Sequence, residues 1–295
     1  MMLELDEKKI RKGRPIGLPY QGSKKKISKK IVEIIKQNFG TEKPVYDIFG
    51  GGGAITAECM LNGLEVHYND LDETVTSMFQ KVVSEDRGYL KTLIVSRDEF
   101  LKIREKENKT IDDELKLLVN SFGYDRKTYL YSKEMSDVKY NLAIEIIKNH
   151  DTFDGYKKTE TYLKAKNAFK SQPLQTLHQL GPLQQLERLQ RLERPEATNL
   201  DYKAFSDIEN SILYLDPPYE GAKNKGYLID GFDSQSFYDW AYKMSKKNIV
   251  IISSYEISDE RFGCVYEFKN ARSTLSGGDR GKRTEKLFMV KKGEK

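Results

Sequence analysis

The sequence predicts an α/β fold: a mixed sheet flanked by helices and interrupted by a mostly helical insert. Two observations predict the sheet and a third predicts the insert. The 295-residue chain opens with a helix, a strand, a glycine turn, a second helix and a second strand, which is how units with parallel strands begin. Strand and helix patterns resume after residue 210 and end in two short strands. Between these parts, residues 95–195 lose the alternation and become rich in charge, Tyr and Lys. The expected organisation is one domain in two pieces, 1–94 and 196–295, around an insert at 95–195.

Each element has its own signal. Residues 1–15 read as a flexible basic arm. In "SKKISKKIVEIIKQNFG", Ile27, Ile31, Ile34 and Ile35 share one helical face, and Gly40 sits where that helix would end. "PVYDIF" (44–49) reads as a short buried strand, "GGGG" (50–53) as a turn, "AITAECMLNG" as a helix and "EVHYND" (65–70) as a strand. Further on, "SILYL" (211–215) and "NIVIISS" (248–254) are strands separated by the helix "SFYDWAYKMSKK". "CVYEF" (264–268) and "KLFMV" (286–290) form a closing pair. Inside the insert, Leu174, Leu177, Leu180, Leu183, Leu186, Leu189 and Leu192 recur every third residue. On a 3.6-residue helix each step turns that stripe by about 60°. Either Gly181–Pro182 splits it into two helical pieces, or the chain takes an irregular three-per-turn path. Both readings assign the stripe to packing.

Composition bounds the function. Apolar residues make up 38% and charged residues 32%, which allows a substantial core. No apolar run is long enough to cross a bilayer. The charged start "MMLELDEKKIRKGRP" lacks the apolar stretch of a secretory signal. A cytoplasmic protein without membrane partners is expected. Two cysteines and three histidines show no metal-ligand spacing, so no metal is expected. Net charge is +5, but residues 1–36 carry +7 and residues 269–295 carry +6, leaving −8 for the body. Basic ends on an acidic body suit a polyanion. They equally suit solvated, partly disordered termini.

The chemistry-bearing motifs lie at strand ends. "DIFGGGGAI" joins a strand to a helix, and its glycines let backbone N–H groups approach a ligand. It lacks the Lys-Ser/Thr of a phosphate-binding P-loop and the spacing of the dinucleotide fingerprint. Asp70 ends the next strand, where a carboxylate can accept both ribose hydroxyls. Alone, Asp70 reads more simply as a capping residue. Together, turn and acid favour an adenosine-bearing cofactor. "ILYLDPPYEG" then places Asp216, Pro217, Pro218 and Tyr219 behind a buried strand, where open α/β sheets hold their ligands. The prolines fix φ and stiffen the turn. The Asp216 carboxylate and the Pro217 carbonyl become two fixed acceptors, suited to an exocyclic NH₂, and Tyr219 offers a face for stacking a base. Accepting both N–H bonds pushes an aryl amine toward sp³ and frees its lone pair for attack on an electrophile. A merely stiffened loop is the weaker reading of this combination.

"DPPY" together with "DIFGGGG" resembles the amino-methyltransferases that use S-adenosylmethionine, and "YQGSK" (20–24) resembles the N-terminal cofactor motif of Dam-like (alpha group) DNA adenine-N6 methyltransferases. The resemblance covers nearly the whole chain and is weak inside the insert. It implies a Rossmann-like S-adenosylmethionine methyltransferase fold with a target-recognition insert. Methyl transfer would go to adenine N6 in double-stranded DNA after base flipping, leaving S-adenosylhomocysteine. For the cofactor it implies Tyr20, Lys24, Asp47, Phe49, Gly51, Gly53, Asp70, and Asp201 with Tyr202 in "NLDY" (199–202). For catalysis it implies Asp216, Pro217, Pro218 and Tyr219. For DNA it implies Ser276, Arg280, Lys282 and Arg283 in "LSGGDRGKRTEKL" (275–287), and Arg126, Lys127 and Tyr129 in "NSFGYDRKTYLYS" (120–132). The family points to a bacterial or phage protein, nucleoid-associated, a monomer or weak dimer, with a separate restriction endonuclease as a conceivable partner. Pro19 stands where the best-known Dam proteins carry a lysine that helps read the target. The Leu-rich stretch 174–192 is also foreign to them, so a GATC target does not carry over.

Three other readings compete. Cytosine-N4 methylation more often goes with Ser-Pro-Pro-Tyr, and protein-glutamine methylation with Asn in the first place; Asp216 fits neither. RNA adenine methylation is opposed only by the motif order. A non-catalytic DNA-binding scaffold conflicts with intact acids at 70, 201 and 216 and an intact glycine turn.

Overall fold

A computed structural model describes residues 2–20, 22–168, 176–220, 232–272 (backbone alone for 269–272) and 284–291. In chain order it runs through α1 (Ser28–Phe39), β1 (Val45–Asp47), α2 (Ala54–Leu61), β2 (Val66–Asn69) and α3 (Glu73–Ser84). The helices α4 (Arg87–Lys91), α5 (Arg97–Arg104), α6 (Ile111–Val119), α7 (Lys133–His150), α8 (Glu160–Ala168) and α9 (Leu180–Leu189) follow. Then come β3 (Ala197–Thr198), β4 (Ile212–Leu215), α10 (Ser234–Met244), β5 (Ile249–Ser254), β6 (Phe262–Arg272) and β7 (Thr284–Val290). The chain divides into two units: 1–15, 24–76 and 195–295 in the first, 16–23 and 77–194 in the second.

The first unit holds the sheet, in the order β3-β2-β1-β4-β5-β7-β6. Five strands from β3 to β5 are parallel, and β7 closes them antiparallel, with β6 paired to it at the edge. The fold is therefore α/β with a mixed sheet, and the expected closing pair is β6–β7. Alternation along each strand serves both faces. Ile212 and Tyr214 of β4 pack with Ile31, Ile34 and Ile35 of α1 and Ile55 and Cys59 of α2. Leu213 and Leu215 pack with Phe237, Tyr238 and Trp240 of α10. The isoleucine face read from the sequence is thus the buried face of α1, which ends at Gly40 in a positive-φ cap (φ 81°).

The chain after β1 goes to β2 on one side, and the chain after β4 goes to β5 on the other. Their neighbours β1 and β4 run in register, Asp47 opposite Tyr214. This is the topological switch point, where the connecting segments part and leave a crevice beyond the carboxyl ends of the strands. Both motifs singled out in the sequence, the glycine turn and Asp-Pro-Pro-Tyr, open at that crevice.

The N-terminal arm departs from expectation. Leu3 is buried, and its N–H donates to the Val265 carbonyl at 2.9 Å. The Glu4 and Asp6 amides donate to Asn38 and Gln37 of α1 at 3.0 and 2.7 Å. Arg11 grips Glu58, itself 1% exposed, through two bonds of 2.8 Å. The arm exposes charges of both signs but is packed onto the rest of the first unit, not flexible.

The second unit is helical. Val95, Phe100, Ile103, Leu117, Tyr129 and Tyr131 form one of its cores. Gln179, Asn120 and Tyr129 make a buried hydrogen-bond network against the Leu93 and Val95 carbonyls. Gly181–Pro182 does not split a helix: both lie in the first turn of α9, where a proline costs no intrahelical bond. Leu177, Leu180, Leu183, Leu186 and Leu189 are all at most 2% exposed. The stripe winds round α9, so that helix is enclosed on several sides. Leu174 lies outside the described residues.

Candidate active site

The turn after β1 is held by the acids at its ends. Gly53 caps α2 in the left-handed region (φ 68°), which glycine adopts without strain. Gly50 sits against Tyr68, so closely that a Cβ there would lie 2.3 Å from the ring. The Tyr68 hydroxyl donates to the Gly51 carbonyl at 2.7 Å. Asp47, 1% exposed, accepts from the Thr56 N–H (3.1 Å) and hydroxyl (2.7 Å). It thereby pins the start of α2 to the end of β1. Burial pushes its carboxyl up to about 7, against those hydrogen bonds, with Asp216 and Asp70 adding to the rise. Asp70 accepts from the Gly51 and Asp72 amides at 2.7 and 2.8 Å; burial raises it too.

Asp216 follows β4 by one residue. Lys24 places its Nζ 2.7 Å from both carboxylate oxygens. The same ammonium donates to the Tyr219 hydroxyl at 2.6 Å and lies 5.0 Å from that ring's centroid. Burial raises the Asp216 carboxyl, Lys24 lowers it, and Glu285 raises it again. Burial also lifts the Tyr219 hydroxyl well above its ordinary range, so it stays protonated and donates. Its proton has two acceptors within reach, Asp216 at 3.1 Å and the closer Glu285. Glu285 also accepts from Ser253 at 2.9 Å and lies 3.6 Å from Lys24 Nζ. Tyr255 packs edge-on against Tyr219, with centroids 4.7 Å apart.

Beside the turn is a pocket lined by Ile48, Phe49, Leu71, Leu200, Asp201, Tyr202, Lys203, Phe232 and Asp233. Ile48, Leu71, Leu200 and three aromatic rings make its apolar part, and Asp201, Lys203 and Asp233 its charged part. The Tyr202 ring is fixed by Trp240 and Phe237 at 5.0 and 5.4 Å and faces Phe49 at 6.1 Å. Asp201 is exposed at the rim, with one oxygen capping the 3₁₀ turn after it through Lys203 N–H (2.9 Å).

A family model described as D12 class N6 adenine-specific DNA methyltransferase matches residues 20–239. The chain belongs to that family. It is a methyltransferase enzyme, and the family's activity is methylation of DNA adenine at N6. No curated protein matches it by sequence. Among solved structures it is similar to the rRNA methyltransferase aviRa from Streptomyces viridochromogenes, with 10% identity, 89% of this chain and 84% of that chain covered, and a TM-score of 0.37.

Within this methyltransferase the first unit gathers Lys24, Asp47, Phe49, Gly51, Gly53, Asp70, Asp201, Tyr202, Asp216 and Tyr219 around the β1–β4 crevice. Tyr20 belongs to the second unit, in a turn closed by Ser23 N–H on its own carbonyl (3.4 Å). Lys24, assigned to the cofactor by resemblance, engages the carboxylate assigned to catalysis. Pro217 is buried and Pro218 half-buried behind it. Glu285 and Ser253 are site residues the sequence reading missed. Strand parity is the signal that flags Glu285, because it shares a face with buried Leu287.

The expected DNA contacts divide. Tyr129 is corrected: it is 6% exposed, packs on Phe100 at 5.3 Å and donates to the Val95 carbonyl at 3.1 Å. Its ring and hydroxyl are both engaged within the core of the second unit. Arg126, at positive φ (58°), pairs with Glu114 at 2.9 Å. Lys127 is exposed. The same loop carries Phe122, 69% exposed, on a turn closed by Phe122 N–H to the Thr128 carbonyl at 2.7 Å. Ser276, Arg280, Lys282 and Arg283 lie outside the described residues. No helix among the described residues is long and apolar enough to cross a membrane. No group of metal-ligating side chains occurs among them either.

Proposed function

We propose that this enzyme transfers a methyl group from S-adenosylmethionine to N6 of an adenine flipped out of double-stranded DNA. The observation that carries the reading is the Asp216 carboxylate at the end of β4, holding an ammonium with both oxygens. A carboxylate that seats one nitrogen with both oxygens has the geometry to accept the N–H bonds of an exocyclic NH₂.

S-adenosylmethionine would supply an electrophilic methyl on a sulfonium. The residues present suit it. The flat pocket of Phe49, Tyr202 and Ile48 fits a purine ring, with Asp201 at its rim to accept from an amino group. Asp70, oriented by two backbone amides, fits a ribose edge. Asp47 acts indirectly, by fixing the turn. Asp216 and the Pro217 carbonyl bind the target amine and localise its lone pair, and Tyr219 stacks on the base. Proximity and fixed dipoles then lower the barrier. Duplex DNA hides N6, so the base has to leave the stack.

In the second unit, exposed Phe122 and Lys127 sit on one short turn. An apolar ring beside a cation suits a base or sugar surface next to phosphate. The basic segment 275–287 adds charge for the backbone.

Incubating unmodified genomic DNA with the purified enzyme and S-adenosylmethionine, then sequencing single molecules, tests the reading. N6-methyladenine in one recurring short sequence is expected. Unmodified DNA, with cofactor binding intact, would overturn DNA as the substrate.

A further inference from the structure

The Asp216 site already holds a nitrogen. Lys24 Nζ lies 2.7 Å from both of its oxygens, and a full positive charge outcompetes a neutral aryl amine for a carboxylate. A target base therefore docks on Asp216 only if the ammonium leaves. An ammonium leaves a shielded carboxylate readily only when another anion receives it, because a stranded charge is costly.

That second anion is in place. Glu285 Oε1 stands 3.6 Å from Lys24 Nζ, with its side chain 9% exposed. Its position is set by the sheet: Ser253 of β5 donates to it at 2.9 Å, and Ser253 pairs with Leu287 two residues along β7. The Tyr219 hydroxyl also reaches it. Lys24 hangs on a flexible four-carbon stem. A shift of roughly 1 Å turns the 3.6 Å contact into a hydrogen bond.

We propose that Glu285 is a second berth for the Lys24 ammonium, and that Lys24 moves from Asp216 to Glu285 as the target amine enters. Glu285 is thus a positioning residue, acting through Lys24. One cation serves two carboxylates in turn, so Asp216 is covered in the resting enzyme and free for the substrate in the working one. Because Glu285 keeps the ammonium close by, the departing charge never reaches an apolar surface. This inference rests on the function proposed above.

A double-mutant cycle tests it. Glu285→Gln keeps the shape and a hydrogen-bonding carbonyl but removes the charge that receives Lys24. The readouts are methylation of a duplex with one target adenine and entry of 2-aminopurine placed at that adenine, followed by fluorescence. In the Lys24-containing enzyme, Glu285→Gln should lower base entry and raise KM for the duplex by about tenfold or more. The change in kcat and in S-adenosylmethionine affinity should be smaller. In a Lys24→Met background the same substitution should change base entry less than about threefold. Equal losses in both backgrounds would overturn the berth, because Glu285 would then act without Lys24. Should Glu285→Gln fail to fold, Glu285→Asp repeats the cycle; it keeps the charge but draws it back, with the same non-additivity expected. The wild-type lane separates the two claims. Absence of N6-methyladenine there overturns the function, whereas N6-methyladenine with an additive cycle overturns only the berth.

Discussion

At the residue scale, two carboxylates one strand apart serve different ends. Asp216 faces a nitrogen and Asp47 faces a helix start. Asp216→Ala should reduce methylation by a factor on the order of 10² to 10³, as for loss of one fixed electrostatic partner. Cofactor binding, followed by calorimetry, should survive; parallel loss of both would make Asp216 structural. Asp47 predicts a pH effect. Its folded carboxyl is raised to about 7 from an ordinary 3.8, so between those values the folded state holds a proton that the unfolded state has lost. Stability therefore falls as pH rises through that window and levels off above it, at about 1.4 kcal/mol per unit at most. Asp47→Asn keeps an oxygen for both Thr56 bonds and removes the charge. Its melting temperature should fall less between pH 5 and 7.5 than that of the wild type; parallel curves would refute the assignment.

At the element scale, the β1–α2 turn depends on a glycine with no room for a side chain. Gly50→Ala pushes a methyl into Tyr68, a core residue 1% exposed that is bonded to Gly51. The turn has to open, and S-adenosylmethionine affinity should fall at least about tenfold, by an amount calorimetry can read. The N-terminal arm is the opposite case, a segment that looks dispensable and is not. Arg11→Ala leaves Glu58 buried with its charge uncompensated, which costs about 3 kcal/mol or more. Denaturant unfolding should show that loss, and Arg11→Met with Glu58→Leu should restore most of it. The arm also marks the limit of reading by composition. Charge counts favoured a flexible tail, because two leucines among eight charged residues carry no periodicity. The isoleucine face of α1 and the apolar runs of β4 and β5 were legible, since periodicity and burial agree there. β3 was not, because two residues have no pattern. Tyr129 was misread because an aromatic among basic residues looks like a base reader, and only packing shows that it is core. Lys24 and Glu285 come from positions 261 residues apart in the chain, and no local signal joins them to Asp216.

At the scale of the whole molecule, charge decides affinity for DNA. Phosphate contacts release counterions, so binding should weaken steeply with salt. Arg280→Ala should reduce that slope by about one, measured by titration from low to high salt; an unchanged slope would remove the segment from the interface. The larger constraint is connectivity. The chain crosses between its two units four times, after residues 15, 23, 76 and 194. β1 finds its partner β4 only after the whole second unit, with Val45 opposite Ile212. A ribosome making this enzyme therefore releases β1 and β2 as a pair with both edges open, since their outer neighbours β4 and β3 come after residue 194. The helical unit emerges next, and the strands that complete the sheet come last. The nascent chain has to keep those two edges from pairing with other polypeptides for most of its synthesis. A graft that exchanges the helical unit between relatives has to move two separate segments, 16–23 along with 77–194, in a single step.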